Sequence, residues 1–275
     1  MSMTTFEFDY LRRLVREQSA IVLESGKEYL VEARLAGLVR EQGMSTVTDL
    51  VAKLRGLRDG PLHTQVVEAI TTNETLFFRD PPLWETLRKE ILPGLIERRR
   101  SERRLHIWSA ACSSGQEPYS LAMLLAEHFG ELAGWEVGIL ATDLSTAMLT
   151  RAREGSYSQL EVNRGLPAAM LVKHFAKEGM HWRVVPGLRR AVEFRPLNLD
   201  AAWPPLPRMD LVLLRNVLIY FDVETKRTIA GRMGRLLQRD GYLVLGAAEN
   251  LLGLDDAVER VIFGRTICYR PRQAG

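Results

Sequence analysis

Cysteine is nearly absent: only Cys112 and Cys268 occur in 275 residues, far apart and with no C-x-x-C pattern. That excludes a disulfide framework and a cysteine-rich zinc site, and it suits a reducing compartment. Long hydrophobic runs are missing too. Nothing approaches the ~18–20 apolar residues that span a bilayer, and the longest apolar stretch, Leu211 to Phe221, is broken by Arg215 and Asn216. The N-terminus carries Glu7, Asp9, Arg12 and Arg13 where a signal peptide needs an apolar segment. Neither sign of charge dominates, since 37 Lys+Arg face 34 Asp+Glu for a net charge of +3. Such a small surplus argues for no nucleic-acid partner. With 46% hydrophobic and 26% charged residues, a disordered or low-complexity chain is excluded as well. The expectation is a cytoplasmic protein, with no direct membrane insertion and no metal-ligand set.

What is present divides in two. From Phe6 to about Trp84 the apolar residues recur at helical spacing. Phe8, Leu11, Leu14 and Val15 form one face, and Leu30, Ala33 and Leu38 a second after Gly26. Gly43 reads as a helix stop and Met44-Ser45-Thr46 as the next N-cap. Leu50, Val51 and Leu54 fill a third helix, and Val66, Val67 and Ile70 a fourth. A helical domain over 1–84 follows.

Beyond Pro81-Pro82 a linker helix spans about 83–100, with Pro93 in its path. Strands and helices then alternate. Strands are expected at Leu105–Trp108, Val137–Ala141, Val192–Phe194, Asp210–Leu214 and Tyr242–Leu245. Helices are expected at Pro118–Phe129, Thr146–Glu154 and Val223–Leu237, with a terminal hairpin around Gly264. That alternation is the signature of an α/β doubly wound, mostly parallel sheet, here assigned to 85–275. About 156–191 interrupts it as an inserted subdomain, with two short strands, Gly179 to Val185 and Leu188 to Val192, around Pro186-Gly187. The basic run Arg98 to Arg104 reads as a solvated helix end.

In open α/β sheets ligands bind beyond the carboxyl ends of the strands, and four polar features collect there. Ser109 to Glu117 is a small-residue loop, either a ligand cradle or an ordinary βα turn. It lacks G-x-G-x-x-G, which disfavours a dinucleotide. Asp143 follows the second strand, placed to bind ribose hydroxyls or to cap the next helix. Asn198-Leu199-Asp200 is a ligand contact or a polar turn. Arg215-Asn216 interrupts an apolar run, and a buried charge there requires a partner, in a ligand site or a structural ion pair. Upstream, Thr71 to Asp80 combines polar groups with Phe77 and Phe78, which also read as interdomain core, and with Arg79, which also reads as a surface pair with Asp80.

Taken jointly, Thr-Thr-Asn-Glu-Thr-Leu-Phe-Phe-Arg-Asp (71–80), Trp-Ser-Ala-Ala-Cys-Ser-Ser-Gly-Gln-Glu-Pro-Tyr-Ser-Leu-Ala (108–122), Ala-Thr-Asp-Leu-Ser (141–145), Leu-Arg-Asn-Val-Leu-Ile-Tyr-Phe-Asp (214–222) and Gly-Tyr-Leu-Val-Leu-Gly-Ala-Ala-Glu-Asn (241–250) resemble the chemotaxis receptor methyltransferases, the CheR family. The resemblance implies a Rossmann-like domain that uses S-adenosylmethionine, an N-terminal helical domain and a small antiparallel β-subdomain. It implies methyl transfer to glutamate side chains of the cytoplasmic domain of methyl-accepting chemoreceptors, S-adenosylhomocysteine as product, and recruitment to receptor arrays. Carried over by motif, Asn73, Thr75 and Arg79 would lie by the methionine end of the cofactor, with Glu117 on its amino group. Asp143 would hold the ribose, Asn198 and Leu199 the adenine, and Arg215 and Asn216 the methionine side. Arg79 and Tyr220 would position the acceptor. Gln116, Leu214 and Ala248 depart from the family's usual residues without removing a group the chemistry needs, and the short loop about Lys177 to Val185 bears on whether a receptor tail is held. A monomer is expected. The alternative is a regulatory module that senses the cofactor or its product without turnover.

Overall fold

Two capping boxes punctuate the first helices, each offering a side-chain oxygen to the free N–H groups of a first turn. Thr4 and Glu7 start α1 (Thr5–Ser19), and Thr46 and Asp49 start α3 (Val47–Gly56). Between them lies α2 (Glu28–Glu41), and α4 (Pro61–Ile70) opens on a proline, which loses no hydrogen bond in a first turn. The structure, a computed structural model, describes residues 3–254 and 257–272. Its chain divides into two units, 1–72 with 220–225 and 73–219 with 226–275. In the first, Phe8, Leu11, Leu14 and Val15 are buried as the spacing predicts, as are the apolar residues expected of α3 and α4. The inward face of α2 keeps the expected Leu38 but is completed by Val31, Leu35 and Val39 rather than by Leu30 and Ala33. The segment 220–225 joins this unit by three links. Val22 N–H donates to the Tyr220 carbonyl (2.8 Å), Ile21 bridges Phe221, and Arg16 pairs with Asp222 (3.1 Å).

The second unit begins with α5 (Pro81–Thr86), a π turn over Leu87–Ile91 and α6 (Leu92–Arg98). Pro93 explains the π turn: its missing N–H and its ring would break a regular α-helical ladder, and the wider turn absorbs both. A seven-stranded sheet follows, built from β1 (Arg104–Ala110), β2 (Glu136–Asp143), β6 (Val192–Pro196), β7 (Met209–Leu214), β8 (Leu237–Leu245), β9 (Val258–Phe263) and β10 (Thr266–Pro271), in the order β6-β2-β1-β7-β8-β10-β9. The first five strands pair parallel, and the β9–β10 hairpin is antiparallel. Crossover helices are α7 (Gln116–His128), α8 (Thr146–Glu154) and α12 (Val223–Leu236). The helix expected from Pro118 starts two residues earlier. Strand order reverses between β1 and β7, the topological switch point where such sheets take ligands.

The insertion is a three-stranded antiparallel sheet, β3 (Ser156–Ser158), β4 (Phe175–Glu178) and β5 (His181–Val184), in the order β3-β5-β4. Helices α9 (Gln159–Asn163) and α10 (Ala168–His174) lie between β3 and β4 in the chain. The expected strand from Leu188 is instead part of α11 (Pro186–Arg190), and the hairpin turns at Gly179, not at Pro186-Gly187. Pro186 suits the first turn of a helix better than a hairpin tip.

The basic run after α6 is not solvated throughout. Arg99 is buried, its Nε 2.6 Å from Asp210 Oδ1 and its Nη atoms on the Asp240 carboxylate. Asp210 also accepts the His106 backbone N–H at 2.8 Å. The partners lie more than a hundred residues downstream, so no local pattern shows them. Hydrogen bonding to Arg99 holds the Asp240 carboxyl below its ordinary value. Its contribution to stability is therefore present above about pH 4 and is lost as the pH falls through the depressed value. Arg99→Met strands the buried Asp210 carboxylate. It is expected to cost about 3 kcal/mol in chemical denaturation and to erase part of the acid-side loss.

Candidate functional site

Strand register brings the polar features to one edge. Ala110 pairs with Thr142 on one side and Leu214 on the other, Asp143 pairs with Pro196, and Leu214 pairs with Leu245. The loops that follow β1, β2, β6, β7 and β8 therefore leave the sheet from the same edge. Seven described non-glycine residues have left-handed backbones, and five of them lie here: Phe78, Asp80, Ala111, Ser113 and Asn216. Such conformations cost ~1 kcal/mol or more each and gather where a ligand dictates backbone shape.

After β1 the chain runs through Ala111, Ser113 and Gly115 in left-handed conformations into α7. Gly115 is the N-cap and supplies no side-chain cap, so the first-turn N–H groups are left to other acceptors. Cys112 N–H donates to the Thr142 carbonyl at 2.9 Å, tying this loop to β2. Burial pushes the Cys112 thiol well up, so it is inert packing rather than a nucleophile. The Asp143 carboxylate accepts the Ser113 N–H (2.7 Å) and the Ser145 N–H (2.9 Å). It does not cap α8. Ser145 does, accepting from Met148 N–H.

Arg215 resolves as an ion-pair hub. Its side chain is 2% exposed, with Nη1 2.8 Å from Glu117 Oε2 and Nη2 on Asp80. Nη2 also donates to the Arg79 carbonyl at 3.1 Å, while Nε is buried without an acceptor. Glu117, in the first turn of α7, takes a second bond from Ser109 Oγ at 2.7 Å. A single cation thus aims one carboxylate and fixes another.

The stretch from Asn73 to Asp80 is held by the insertion and the β1 loop. Arg164 pairs with Glu74 at 2.8 Å, and Ser113 Oγ donates to the Asn73 carbonyl at 2.8 Å. The Phe77 ring stands edge-on to Tyr157 and Phe175, at 5.0 and 5.6 Å between centroids. Tyr157 donates in turn to the Ser114 carbonyl at 2.7 Å. Gly165 passes so close to Phe77 that a Cβ would lie 2.0 Å from its carbonyl oxygen. Arg79 is half-buried and makes no ion pair among the described residues. It donates only a long bond to the Glu74 carbonyl, 3.4 Å, so the surface pair with Asp80 does not form.

Beyond β6, Asn198 Oδ1 accepts the Asp200 N–H at 3.0 Å, a polar turn, and Leu199 is buried. Its carbonyl accepts the Trp203 indole N–H at 3.1 Å, and Trp203 meets Trp108 edge-on at 5.2 Å. Asn73, Thr75, Arg79, Glu117, Asp143, Asn198, Leu199, Arg215 and Asn216 all belong to the second unit, whereas Tyr220 belongs to the first. Two residues of this edge carry no cofactor or acceptor role in the sequence reading, which gives Asp80 only as a surface pair for Arg79. Asp80 stands within the 71–80 motif and Glu249 within the 241–250 motif, and an acid amid apolar and small residues was the available signal for both.

Residues 7–71 match the all-alpha domain of the CheR methyltransferase family, and residues 73–267 match its S-adenosylmethionine-binding domain. The chain belongs to the CheR methyltransferase family. It is 44% identical over 277 residues to chemotaxis protein methyltransferase 1 of Pseudomonas aeruginosa, spanning 99% of this chain and all of that one. It is 41% identical to the chemotaxis protein methyltransferase Cher2 of Pseudomonas putida, again across 99% of this chain and all of that one. A Vibrio parahaemolyticus chemotaxis protein methyltransferase is 39% identical over 96% of each. S-adenosylmethionine is accordingly the cofactor of the methyltransferase's second unit. The chemistry of the edge fits it: a fixed carboxylate after β2 suits a diol, one beside β1 suits an ammonium, and the uncapped start of α7 suits a carboxylate.

Proposed function

We propose that this methyltransferase converts glutamate side chains of methyl-accepting chemoreceptors into methyl esters, working in the cytoplasm on the receptors' cytoplasmic domain. The observation that carries the reading is the pair of oriented carboxylates beside the switch point, Asp143 at the end of β2 and Glu117 in the first turn of the helix that follows β1. Bound S-adenosylmethionine supplies an electrophilic methyl group and leaves as S-adenosylhomocysteine. Asp143 would take the ribose hydroxyls and Glu117 the methionine ammonium, with Arg215 keeping Glu117 aimed. Asn73, Thr75 and Asn216 would complete the methionine end, and Asn198 and Leu199 the adenine end.

The acceptor needs no general base. A glutamate carboxylate with a pKa near ~4.3 is ionised at neutral pH, so the site must align it and exclude water. Arg79, which forms no ion pair among the described residues, would orient that carboxylate, and the Tyr220 hydroxyl would assist. Tyr220→Phe is expected to lower kcat roughly tenfold, the low end of the effects expected from a lost positioning group, with unchanged S-adenosylhomocysteine affinity by calorimetry. Undiminished turnover would remove Tyr220 from the mechanism. The overall reading is tested by peptide mass spectrometry of a receptor cytoplasmic fragment after incubation with enzyme and cofactor. Added methyl groups on glutamate support it, and methylation confined to lysine or arginine contradicts it.

A further inference from the structure

Glu249 lies outside every role assigned above, yet its carboxylate accepts four backbone N–H groups. Oε2 accepts the backbone N–H of Asn216 at 2.7 Å and of Gly246 at 2.7 Å. Oε1 accepts the N–H of Val217 at 2.9 Å and of Ile219 at 3.3 Å. Three of these donors lie in the loop after β7, the loop that delivers Arg215 and Asn216. The fourth, with Glu249 itself, lies in the turn after β8, which is closed by the Glu249 N–H on the Gly246 carbonyl at 2.9 Å. Asn216 is left-handed, at φ +58°, a conformation that needs outside support in any residue with a Cβ. Space enforces the same contact. A Cβ on Gly246 would lie 2.6 Å from Asn216 Nδ2, 2.7 Å from Glu249 Oε2 and 2.9 Å from the Asn216 nitrogen.

We propose that Glu249 is a positioning residue for methyl transfer, whose carboxylate clamps the Arg215–Asn216 loop in its cofactor-binding shape. The inference rests on the cofactor reading above and extends it to a residue that need not touch the cofactor. The physical requirement is an acceptor at both oxygens, because each faces two backbone donors. An anionic acceptor also binds N–H groups more strongly than a neutral one. Glutamine, nearly the same size, keeps one oxygen and turns an NH2 group toward two N–H donors. Releasing the loop frees Asn216 from φ +58° and slackens Arg215, and with it the aim of Glu117.

The test uses Glu249→Gln and, separately, Gly246→Ala, which leaves Glu249 in place but drives the two turns apart. Backbone hydrogen exchange is followed in the protein without cofactor, and S-adenosylhomocysteine affinity is measured by calorimetry. Both variants are expected to exchange the 215–219 amides at least tenfold faster, with protection of the β7 and β8 strands retained. Both should bind S-adenosylhomocysteine at least tenfold more weakly. Unchanged exchange at 215–219, or affinity within twofold of the unaltered protein, overturns the proposal. Global loss of protection in both variants also overturns it, since Glu249 would then hold the fold rather than the loop. If one variant does not fold, the other is read alone by the same criteria. An unaltered protein that binds no S-adenosylhomocysteine contradicts the cofactor reading instead, and the exchange result still judges the clamp.

Discussion

Arg79→Ala is expected to lower kcat for receptor methylation at least a hundredfold, roughly 2.7 kcal/mol of barrier, while S-adenosylhomocysteine affinity changes less than tenfold. The reason lies in what surrounds the side chain. Its neighbour Asp80 is committed to Arg215, and among the described residues Arg79 retains only the long bond to the Glu74 carbonyl. A guanidinium in that state offers a fork to an incoming carboxylate, and misplacing a reacting group by an ångström costs about this factor. Arg79→Lys is expected to recover only part, because a lysine is a point charge without the planar fork. Single-turnover rates beside calorimetric affinities would check both variants. A loss confined to affinity would move Arg79 out of the acceptor's path.

The second large effect belongs to Arg215. Arg215→Leu leaves Glu117 mostly buried with no counter-charge, which costs on the order of 3 kcal/mol. For a unit of this size the midpoint should fall by roughly 6–12 °C. Cofactor affinity should fall with it, since Glu117 would keep only the Ser109 hydroxyl. Adding Glu117→Gln to Arg215→Leu should restore much of the stability and none of the affinity. That opposite movement separates the structural share of the ion pair from its share in binding, as in a double-mutant cycle. Recovery of both together would contradict the assignment of Glu117.

The sequence shows features whose cause is local. Met44-Ser45-Thr46 announces the N-cap of α3, the apolar periods of α1, α3 and α4 announce their buried faces, and Arg215 inside an apolar run announces a buried partner. What it hides depends on distant residues. Arg99 reads as one more cation at a helix end until Asp210 and Asp240 arrive beside it. Asp143 reads as a cap until Ser145 takes that place and the carboxylate is found on the Ser113 and Ser145 N–H groups. Glu249 shows locally only as an acid among small residues, because its four donors are backbone groups from two loops thirty residues apart. In the insertion the expected strand 179–185 holds β5, whereas the strand expected from Leu188 is helical and β3 and β4 carry no sequence signal, for a related reason. Four-residue strands such as β4 and β5 show little alternation, and Pro186-Gly187 imitates a hairpin tip while opening a helix. Five motifs in order were enough for the family and its cofactor, whereas the hydrogen-bonding of the carboxylates needed coordinates.

The central claim is ester formation on a carboxylate, and base lability tests it most directly. A receptor cytoplasmic fragment is labelled with methyl-tritiated S-adenosylmethionine and this protein, then exposed to mild base. The account predicts that the label leaves as volatile methanol and that the Arg79→Ala variant incorporates it at least a hundredfold more slowly. Label that survives base would place the methyl on nitrogen or carbon and contradict a glutamate methyl ester.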